Sequence, residues 1–285
     1  MSEDLASLLA TGRRTLTDAE VVQALKELDT YGYTHIAKYL SPPLVKSLLT
    51  RVIELSQAHM SDPTTQPDEW RAEWIFNLQN KDSRFIDLLI DASIEKLLMP
   101  KLNDPWFRHL PVERPNYILG QFVARSPNHA LLLHMDAGMP TPGPETTMIQ
   151  MGYMLEDSNV ENGCTLVVPG SHLLGRYSDR DMVRKSPIQA KAGDLVVWDG
   201  RVWHGTTENR SRATRWSIVA TFQRWWVKQS FDIPRALPET IYRRLSFEQK
   251  ALLGFLTIPP RDETERITRV RPVDDIRDRP QDYYK

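Results

Sequence analysis

The 285-residue sequence has one cysteine, Cys164, and lacks any run of about 18 apolar residues. A single cysteine excludes an intrachain disulfide and zinc sites of the finger type, which need several thiolates. Without a long apolar run, no helix is expected to span a membrane. The chain begins with Met-Ser-Glu-Asp-Leu, which is acidic where a secretory signal is basic, so we expect a cytoplasmic protein.

The chain also lacks an excess of charge of either sign. Lysine and arginine total 36 and aspartate and glutamate total 37, for a formal net charge of −1. Proteins that bind nucleic acids present a basic surface to the phosphates, so this balance predicts no nucleic-acid partner. A content of 41% hydrophobic residues is enough to bury a core. We therefore expect a small-molecule partner, and the sequence gives no indication of the oligomeric state.

Three regions follow one another within a chain that we expect to be a single domain. Residues 1–110 are predicted to be mostly helical, residues 111–228 to form short strands separated by turns, and residues 229–285 to contain one helix and a charged tail. Many short strands without long helices between them favour a sandwich or a closed barrel. The predicted strands are residues 116–123, 130–134, 146–155, 165–168, 194–198 and 215–226; the predicted helices start near Thr17 and Ser41 and cover 85–98 and 246–253.

The first chemical motif is His134-Met135-Asp136, after a short apolar run. On a strand, side chains two residues apart share a face, so this imidazole and carboxylate are predicted to point into the same space. Two histidines and one carboxylate with open positions suit non-haem Fe(II). A histidine followed two residues later by aspartate also arises by chance, so an ordinary hydrogen-bonded pair remains an alternative at this point.

A second histidine and an arginine extend this pattern. His204 follows an apolar strand that is bounded by turns, where a lone histidine is usually a structural residue. Arg215 opens a strongly apolar run, and a guanidinium buried there needs an anion. A carboxylate fits best, because it accepts two parallel hydrogen bonds. Together the four residues suit Fe(II) and a dicarboxylate co-substrate.

Four motifs in a fixed order carry a family resemblance: His134-Met-Asp136, residues 161–172 (ENGCTLVVPGSH), residues 192–198 (AGDLVVW), and residues 203–209 (WHGTTEN) followed by Arg215. The stretch 131–222 resembles the phytanoyl-CoA dioxygenase family of Fe(II)- and 2-oxoglutarate-dependent dioxygenases. The resemblance implies a mainly β fold with flanking helices, a double-stranded β-helix of the jelly-roll, cupin-like kind. It also implies Fe(II), 2-oxoglutarate and O₂ as cofactor and co-substrates.

The resemblance assigns roles to individual residues. It implies that His134, Asp136 and His204 bind the iron and are the catalytic centre. Arg215 is implied to pair with the distal carboxylate of 2-oxoglutarate, and Thr165 is a plausible hydroxyl partner of the same co-substrate. Related halogenases have Ala or Gly at the carboxylate position, so Asp136 favours hydroxylation or another oxygenase outcome.

The sequence departs from some relatives at one position of this site. Those relatives carry glutamine three residues before the first iron ligand, where this chain has Leu131. This chain either lacks the contact that the glutamine makes or supplies it from another residue. Gln121 and Gln150 are the candidates for that other residue. His172, in the Pro-Gly-Ser-His turn, is interpreted as structural.

The substrate is the least defined part of the sequence. Residues 137–145, rich in Pro and Gly, are predicted to form a rim after the metal motif. We expect a small, largely apolar metabolite, such as an intermediate of secondary metabolism, because no Lys/Arg cluster marks a coenzyme A site. Aromatic residues and methionines make adaptable apolar walls; the candidates are Trp70, Trp74, Phe76, Met135, Met139, Met148, Met151 and Met154.

Two other functions are compatible with the fold. The first is a non-catalytic barrel that binds a small molecule or a protein, although such a module has no need for three convergent ligands and an arginine. The second is a cupin-like metalloenzyme without a 2-oxo acid, which would have no use for Arg215 and would be indifferent to 2-oxoglutarate.

Overall fold

The computed structural model describes residues 5–61, 73–107, 109–177, 184–211, 213–260 and 262–264. Within these ranges most of the helical residues precede the main run of strands. None of the described helices is long and apolar enough to cross a bilayer. The α-helices are α1 (Leu5–Thr11), α2 (Asp18–Tyr31), α3 (Pro42–Met60), α4 (Arg84–Asp87), α5 (Ala92–Leu102), α6 (Ile233–Ala236), α7 (Glu239–Tyr242) and α8 (Phe247–Leu252).

Two antiparallel sheets form the β part of the fold. The larger has the strand order β1-β7-β4-β9-β3-β2 and the smaller the order β6-β5-β8. Within the described residues the two sheets are not joined into a closed hydrogen-bonded barrel. The strands are β1 (Tyr33–Ile36), β2 (Trp74–Phe76), β3 (Ile118–Arg125), β4 (Met148–Met154), β5 (Thr165–Val167), β6 (Ser186–Ile188), β7 (Leu195–Asp199), β8 (His204–Thr206) and β9 (Ser217–Gln223).

The two faces of the large sheet pack against different partners. Along β7, Leu195 and Val197 belong to the main core, which includes the buried faces of the N-terminal helices. Val196 and Trp198 alternate with them and pack with Val167 of the small sheet. Side chains of successive strand residues point to opposite faces, so helices cover one face of the large sheet and the small sheet covers the other. This confirms the predicted jelly-roll fold with flanking helices.

The caps of α2 fix the segment that leads into the large sheet. Thr17 accepts a hydrogen bond from the backbone amide of Glu20, and the Glu20 side chain accepts one from the Thr17 backbone amide, so a capping box forms at the predicted helix start. Gly32 ends the helix with a φ of 82°, a left-handed conformation that favours glycine. The chain then enters β1 at Tyr33 and pairs with β7, so the helical region also supplies a strand to the sheet.

Several predicted boundaries are wrong for local reasons. Residues 130–134 do not form a strand, because the apolar run is largely outside the core: Leu132 is 88% exposed. The predicted helix over 85–98 is interrupted, and α5 begins where Asp91 accepts hydrogen bonds from two backbone amides. The short strands β2, β6 and β8 have too few residues for a periodic signal. Most of the predicted charged tail lies outside the described residues.

Candidate functional site

His134, Asp136 and His204 lie together beside the small sheet. His204 opens β8, and its backbone pairs with His134 in an isolated bridge through hydrogen bonds of 2.8 and 3.0 Å. Asp136 lies in the turn that follows, and the next residue, Ala137, donates to the carbonyl of Gly200. One ligand atom from each of the three side chains lies within 4.8 Å of the others. The predicted convergence therefore arises from a bridge and a turn, and not from a continuous strand.

Backbone contacts orient both imidazole rings. His134 Nδ1 lies 2.8 Å from the carbonyl oxygen of Leu132, and His204 Nδ1 lies 3.0 Å from that of Val202. A carbonyl only accepts hydrogen bonds, so each Nδ1 carries the proton and, in the neutral ring, Nε2 keeps its lone pair. The Nε2 atoms face Asp136, at 3.7 Å for His134 and 3.3 Å for His204. This is the arrangement of histidines that bind a metal through Nε2.

A tryptophan holds the carboxylate of the cluster. The indole Nε1 of Trp198, in β7, donates to Oδ2 of Asp136 over 3.2 Å. Such contacts behind a metal ligand fix its orientation. The sequence motif at 192–198 includes this residue, but its spacing does not indicate a contact with a carboxylate 62 residues away.

Burial keeps His204 in the form that binds metals. It lowers the pKa of the His204 imidazole, while the nearby Asp136 carboxylate acts in the opposite direction. The neutral ring is the metal-binding form, since a protonated Nε2 has no lone pair to donate. The His134 and Asp136 side chains are partly exposed, so the cluster has an open side. Two imidazole nitrogens and one carboxylate with open positions fit Fe(II).

Arg215 lies immediately before β9 and is 5% exposed. Its backbone amide donates to Ser126, but within the described part of the chain its buried Nε and Nη2 atoms have no hydrogen-bond partner. Burial, followed by the charge of Arg125, lowers the pKa of Arg215 to about 10. Nε and Nη2 are the parallel pair of donors that binds a carboxylate through two bonds. Arg215 therefore has the donors that the predicted anion site needs, and its role in binding an anion stays a prediction.

A glycine makes room for this guanidinium. Gly163 has a φ of 95°, and a Cβ atom at that position would lie 2.8 Å from Arg215 Nε. Any side chain there would both strain the backbone and displace the arginine. The glycine of the Glu-Asn-Gly-Cys-Thr motif thus has a physical role beside the predicted co-substrate site.

The positions of Thr165 and Gln121 relative to the metal cluster are less informative. Thr165 lies in β5 opposite Thr206, on the same face as Val167, which packs between the sheets. Gln121 lies opposite Thr221 in the register of β3 and β9. No described contact joins either side chain to the metal cluster, so both roles stay predictions.

The two other positions considered for a glutamine contact have structural partners. The Gln150 side chain accepts a hydrogen bond of 2.6 Å from Thr221. The backbone amide of Leu131 donates to the Thr206 hydroxyl. His172 lies in a short 3₁₀ helix, where its Nε2 is 3.2 Å from the Asp29 carbonyl oxygen, and it is not part of the metal cluster.

The predicted apolar wall is only partly present. Met135 packs with Val168 and Trp203 beside the metal cluster. Trp74, Phe76 and Met154 pack against the cluster of side chains between the two sheets.

Three of the candidates for the wall do not support it. Met151 is wrong as a wall residue, because it faces the helices in the main core. Met139 is largely exposed on the loop after the metal motif. Trp70 lies outside the described residues.

A buried ion pair, not anticipated from the sequence, anchors the predicted rim. Arg201 donates from Nε and Nη2 to Asp199 over 3.0 and 2.8 Å. Its Nη1 donates to the carbonyl oxygens of Thr141 and Gly143 over 3.1 and 2.9 Å. These bonds tie residues 137–145 to β7. The rim is therefore held by a fully bonded arginine, whereas the sequence only indicates a loop rich in Pro and Gly.

A double-stranded β-helix with two histidines and one carboxylate converging at one end defines the class of cupin-like non-haem iron enzymes. Comparison with known proteins identifies the family. The family model described as "Phytanoyl-CoA dioxygenase (PhyH)" matches residues 28–217, and the chain belongs to this family. It is thus an Fe(II)- and 2-oxoglutarate-dependent dioxygenase, with O₂ as the second co-substrate.

Individual relatives and solved structures are similar to this chain. Dioxygenase af480 of Aspergillus fumigatus is 26% identical over 243 residues, which cover 78% of this chain and 74% of the relative. The epimerase SnoN has a TM-score of 0.55 at 20% identity and covers 73% of this chain and 84% of its own. HygX of Streptomyces hygroscopicus, solved with nickel and 2-oxoglutarate, has a TM-score of 0.57 at 16% identity, with 76% and 90% covered. At these identities the solved structures support the fold alone.

Proposed function

We propose that the enzyme hydroxylates, or otherwise oxidises, an unactivated C–H bond of a small, largely apolar metabolite. In this proposal His134, Asp136 and His204 hold Fe(II), and Arg215 binds the distal carboxylate of 2-oxoglutarate. The observation that carries it is the convergence of the three ligand atoms within 4.8 Å, with both histidine Nδ1 atoms tied to backbone carbonyls.

When bound, Fe(II) supplies the activation of O₂ that couples oxidative decarboxylation of 2-oxoglutarate to oxidation of the substrate. For hydroxylation one oxygen atom enters succinate, the other enters the product, and CO₂ is released. The side chains of this chain have positioning roles. Neutral His134 and His204 present Nε2, Trp198 fixes the Asp136 carboxylate, and Arg215 orients the co-substrate.

Three observations support the substrate class. Met135, Trp203 and Val168 give the cluster apolar neighbours, and Trp74 and Phe76 lie between the sheets. The chain carries a carboxylate ligand at Asp136, which favours oxygenation over halogenation. SnoN is described as an enzyme from nogalamycin biosynthesis, which supports a role in secondary metabolism. Desaturation, epoxidation and ring formation are further outcomes that the same centre supports.

The proposal is tested first by the visible charge-transfer absorption of the Fe(II)–2-oxoglutarate chelate under anaerobic conditions. The wild-type protein is expected to develop the band with both components and with neither alone. His134→Ala is expected to lose it, because one of three ligands is removed. His129→Ala is the matched control, because this histidine is exposed and is not one of the three proposed ligands.

Oxygen is then admitted, and succinate is measured with and without 2-oxoglutarate. Succinate that depends on Fe(II), 2-oxoglutarate and O₂ supports the proposal. Normal turnover in His134→Ala or Asp136→Ala contradicts the metal assignment. A metal-dependent activity that is indifferent to 2-oxoglutarate points instead to the cupin-like alternative.

A further inference from the structure

Arg125, the last residue of β3, is a second arginine directed between the two sheets. Its strand neighbours are Trp74 in β2 and Ser217 in β9. Its Nε atom is buried without a hydrogen-bond partner, and the guanidinium carbon lies 5.6 Å from the centre of the Trp74 ring. The aromatic face offsets part of the charge but accepts no in-plane hydrogen bond. Among the described residues the guanidinium has no ion-pair partner.

Arg125 lies close to Arg215 along the backbone of the sheet. The Arg215 amide donates to the hydroxyl of Ser126, the residue after Arg125, and Arg125 pairs with Ser217 in β9. Burial lowers the pKa of Arg125 and the Asp136 carboxylate opposes this effect, while Arg125 in turn lowers the pKa of Arg215. Asp136 is already engaged by Trp198 and, in the proposed function, by the metal.

The proposed function leaves the charge of Arg125 unused, while Glu73, a carboxylate that acts on Arg215, accepts a hydrogen bond from the Asn128 side chain over 2.8 Å. Fe(II) and Arg215 together carry three positive charges, and Asp136 and the two carboxylates of 2-oxoglutarate carry three negative ones. One carboxylate of the co-substrate is accounted for by the metal and the other by the paired donors of Arg215. A further positive charge whose buried Nε meets no acceptor among the described residues is costly unless an anion meets it.

We propose that Arg125 binds a carboxylate of the primary substrate, so that the enzyme acts on an apolar molecule that carries one acidic group. This inference rests on the proposed function and narrows its substrate class. The rings of Trp74 and Phe76 are nearly parallel, at 10°, with centres 5.8 Å apart. They provide a flat apolar surface next to the guanidinium, suited to the hydrocarbon part of such an acid.

The test compares acids with their neutral amides on the protein loaded with Fe(II) and 2-oxoglutarate without oxygen. The probes are octanoate against octanamide and 3-phenylpropanoate against 3-phenylpropanamide. Binding is followed by the change in the chelate absorption and by the thermal unfolding midpoint. Wild type is expected to bind each acid at least about 10-fold more tightly than its amide, because a hydrogen-bonded charged pair replaces a neutral contact.

Two variants assign this preference to Arg125. Arg125→Gln is expected to lose the preference for acids while its affinity for 2-oxoglutarate changes less than about 2-fold, since Arg215 is intact. Arg125→Lys keeps the charge and is expected to keep a reduced preference, which guards against a misfolded first variant. Arg210→Gln, at an arginine with an 80% exposed side chain, is the matched control and should behave as wild type.

Three outcomes overturn the inference. Equal binding of acid and amide, or no binding of any acid, removes the anion subsite. A loss of 2-oxoglutarate affinity in Arg125→Gln as large as that in Arg215→Gln assigns Arg125 to the co-substrate instead. If wild type forms no chelate band, the proposed function fails separately, and the comparison of acid with amide on the metal-free protein still decides the role of Arg125.

Discussion

Two buried arginines that flank His204 in the sequence have different environments. Arg201 is 2% exposed and Arg215 is 5% exposed. The described side-chain bonds of Arg201 are two to Asp199 and two to backbone carbonyls of the rim. Arg215 is buried to a similar degree, yet its Nε and Nη2 atoms meet no acceptor among the described residues.

The difference separates structure from function. A buried charge is tolerated when its partners are built into the fold, as around Arg201. A buried charge whose donors lack acceptors destabilises the folded protein, so it indicates a site for a ligand. The same distinction separates the histidines of the metal cluster, whose Nδ1 atoms lie against backbone carbonyls, from Arg125 and Arg215, whose buried donors support the proposed anion sites.

The largest expected effect on folding comes from Arg201→Met. The change leaves the Asp199 carboxylate buried without its main partner and releases the carbonyls of residues 141 and 143. We expect the metal-free protein to lose about 3–5 kcal/mol of unfolding free energy. Urea unfolding followed by far-UV circular dichroism measures this, with the exposed Arg210→Met as the control. A loss below about 0.5 kcal/mol would mean that the internal bonds of Arg201 do not stabilise the fold, contrary to the difference drawn between the two arginines.

The next effect is on binding, and comes from Arg215→Met. The metal-free variant is expected to be as stable as wild type or more stable, because an unpaired buried charge is replaced by an apolar side chain. Its affinity for 2-oxoglutarate should fall by about 2–5 kcal/mol, the cost of removing one partner of a buried charged pair. Anaerobic titration of the chelate band measures the affinity, and metal binding without co-substrate should stay near normal.

A different result for Arg215→Met would be informative in two ways. Unchanged 2-oxoglutarate affinity would remove Arg215 from its proposed role. A stability loss as large as that of Arg201→Met would mean that its free donors have partners in the folded protein after all.

The convergence of the candidate metal ligands could be predicted from the sequence, whereas the contacts that support them could not. His134, Asp136, His204 and Arg215 stand in motifs whose order is characteristic, so they could be found without coordinates. The capping box at Thr17 could also be predicted, because it depends on residues three positions apart. His204 opens the short strand β8, while His134 lies in an isolated bridge, so the sequence motifs rather than a strand pattern identified these residues.

The unpredicted features all depend on contacts between distant parts of the chain. Trp198 reaches Asp136 across 62 residues and Arg201 reaches Thr141 across 60, and no local pattern encodes either. The apolar run before His134 predicts a strand, although burial rather than hydrophobicity decides strand formation there. The sequence does not tell which face of β4 meets the helices, so it cannot assign Met151 to the core instead of the pocket.

A smaller effect, on metal affinity, is expected for Trp198→Phe. This variant tests whether Trp198 orients the Asp136 carboxylate for the metal. The variant keeps most of the apolar ring but loses the bond to Asp136 Oδ2. Loss of such a contact behind a ligand weakens metal binding by about 10- to 100-fold. Trp203→Phe is the matched control, because the Trp203 indole nitrogen has no hydrogen-bond partner in the structure. Equal losses of Fe(II) affinity in both variants would show that Trp198 does not position the Asp136 carboxylate.

The smallest expected effect concerns His172, an imidazole that is incompletely bonded like Arg215 but takes part in no proposed step. Its Nδ1 atom is buried without a partner. Burial lowers the pKa of the ring from the ordinary value of 6.5, with Asp199 opposing this shift and Arg201 adding to it. The folded protein therefore binds this proton at lower pH than the unfolded chain does.

Its contribution to stability is complete above pH about 6.5 and declines as the pH falls towards the lowered pKa, by at most about 1.4 kcal/mol per pH unit. Urea unfolding at pH 7.5 and 5.5 should accordingly give a smaller loss on acidification for His172→Gln than for wild type. His204 has the same direction of shift, but it is present in both proteins, so the difference between the two losses belongs to His172. Equal losses would mean that the cavity around His172 accommodates the charged ring, and that incomplete bonding there carries no energetic cost.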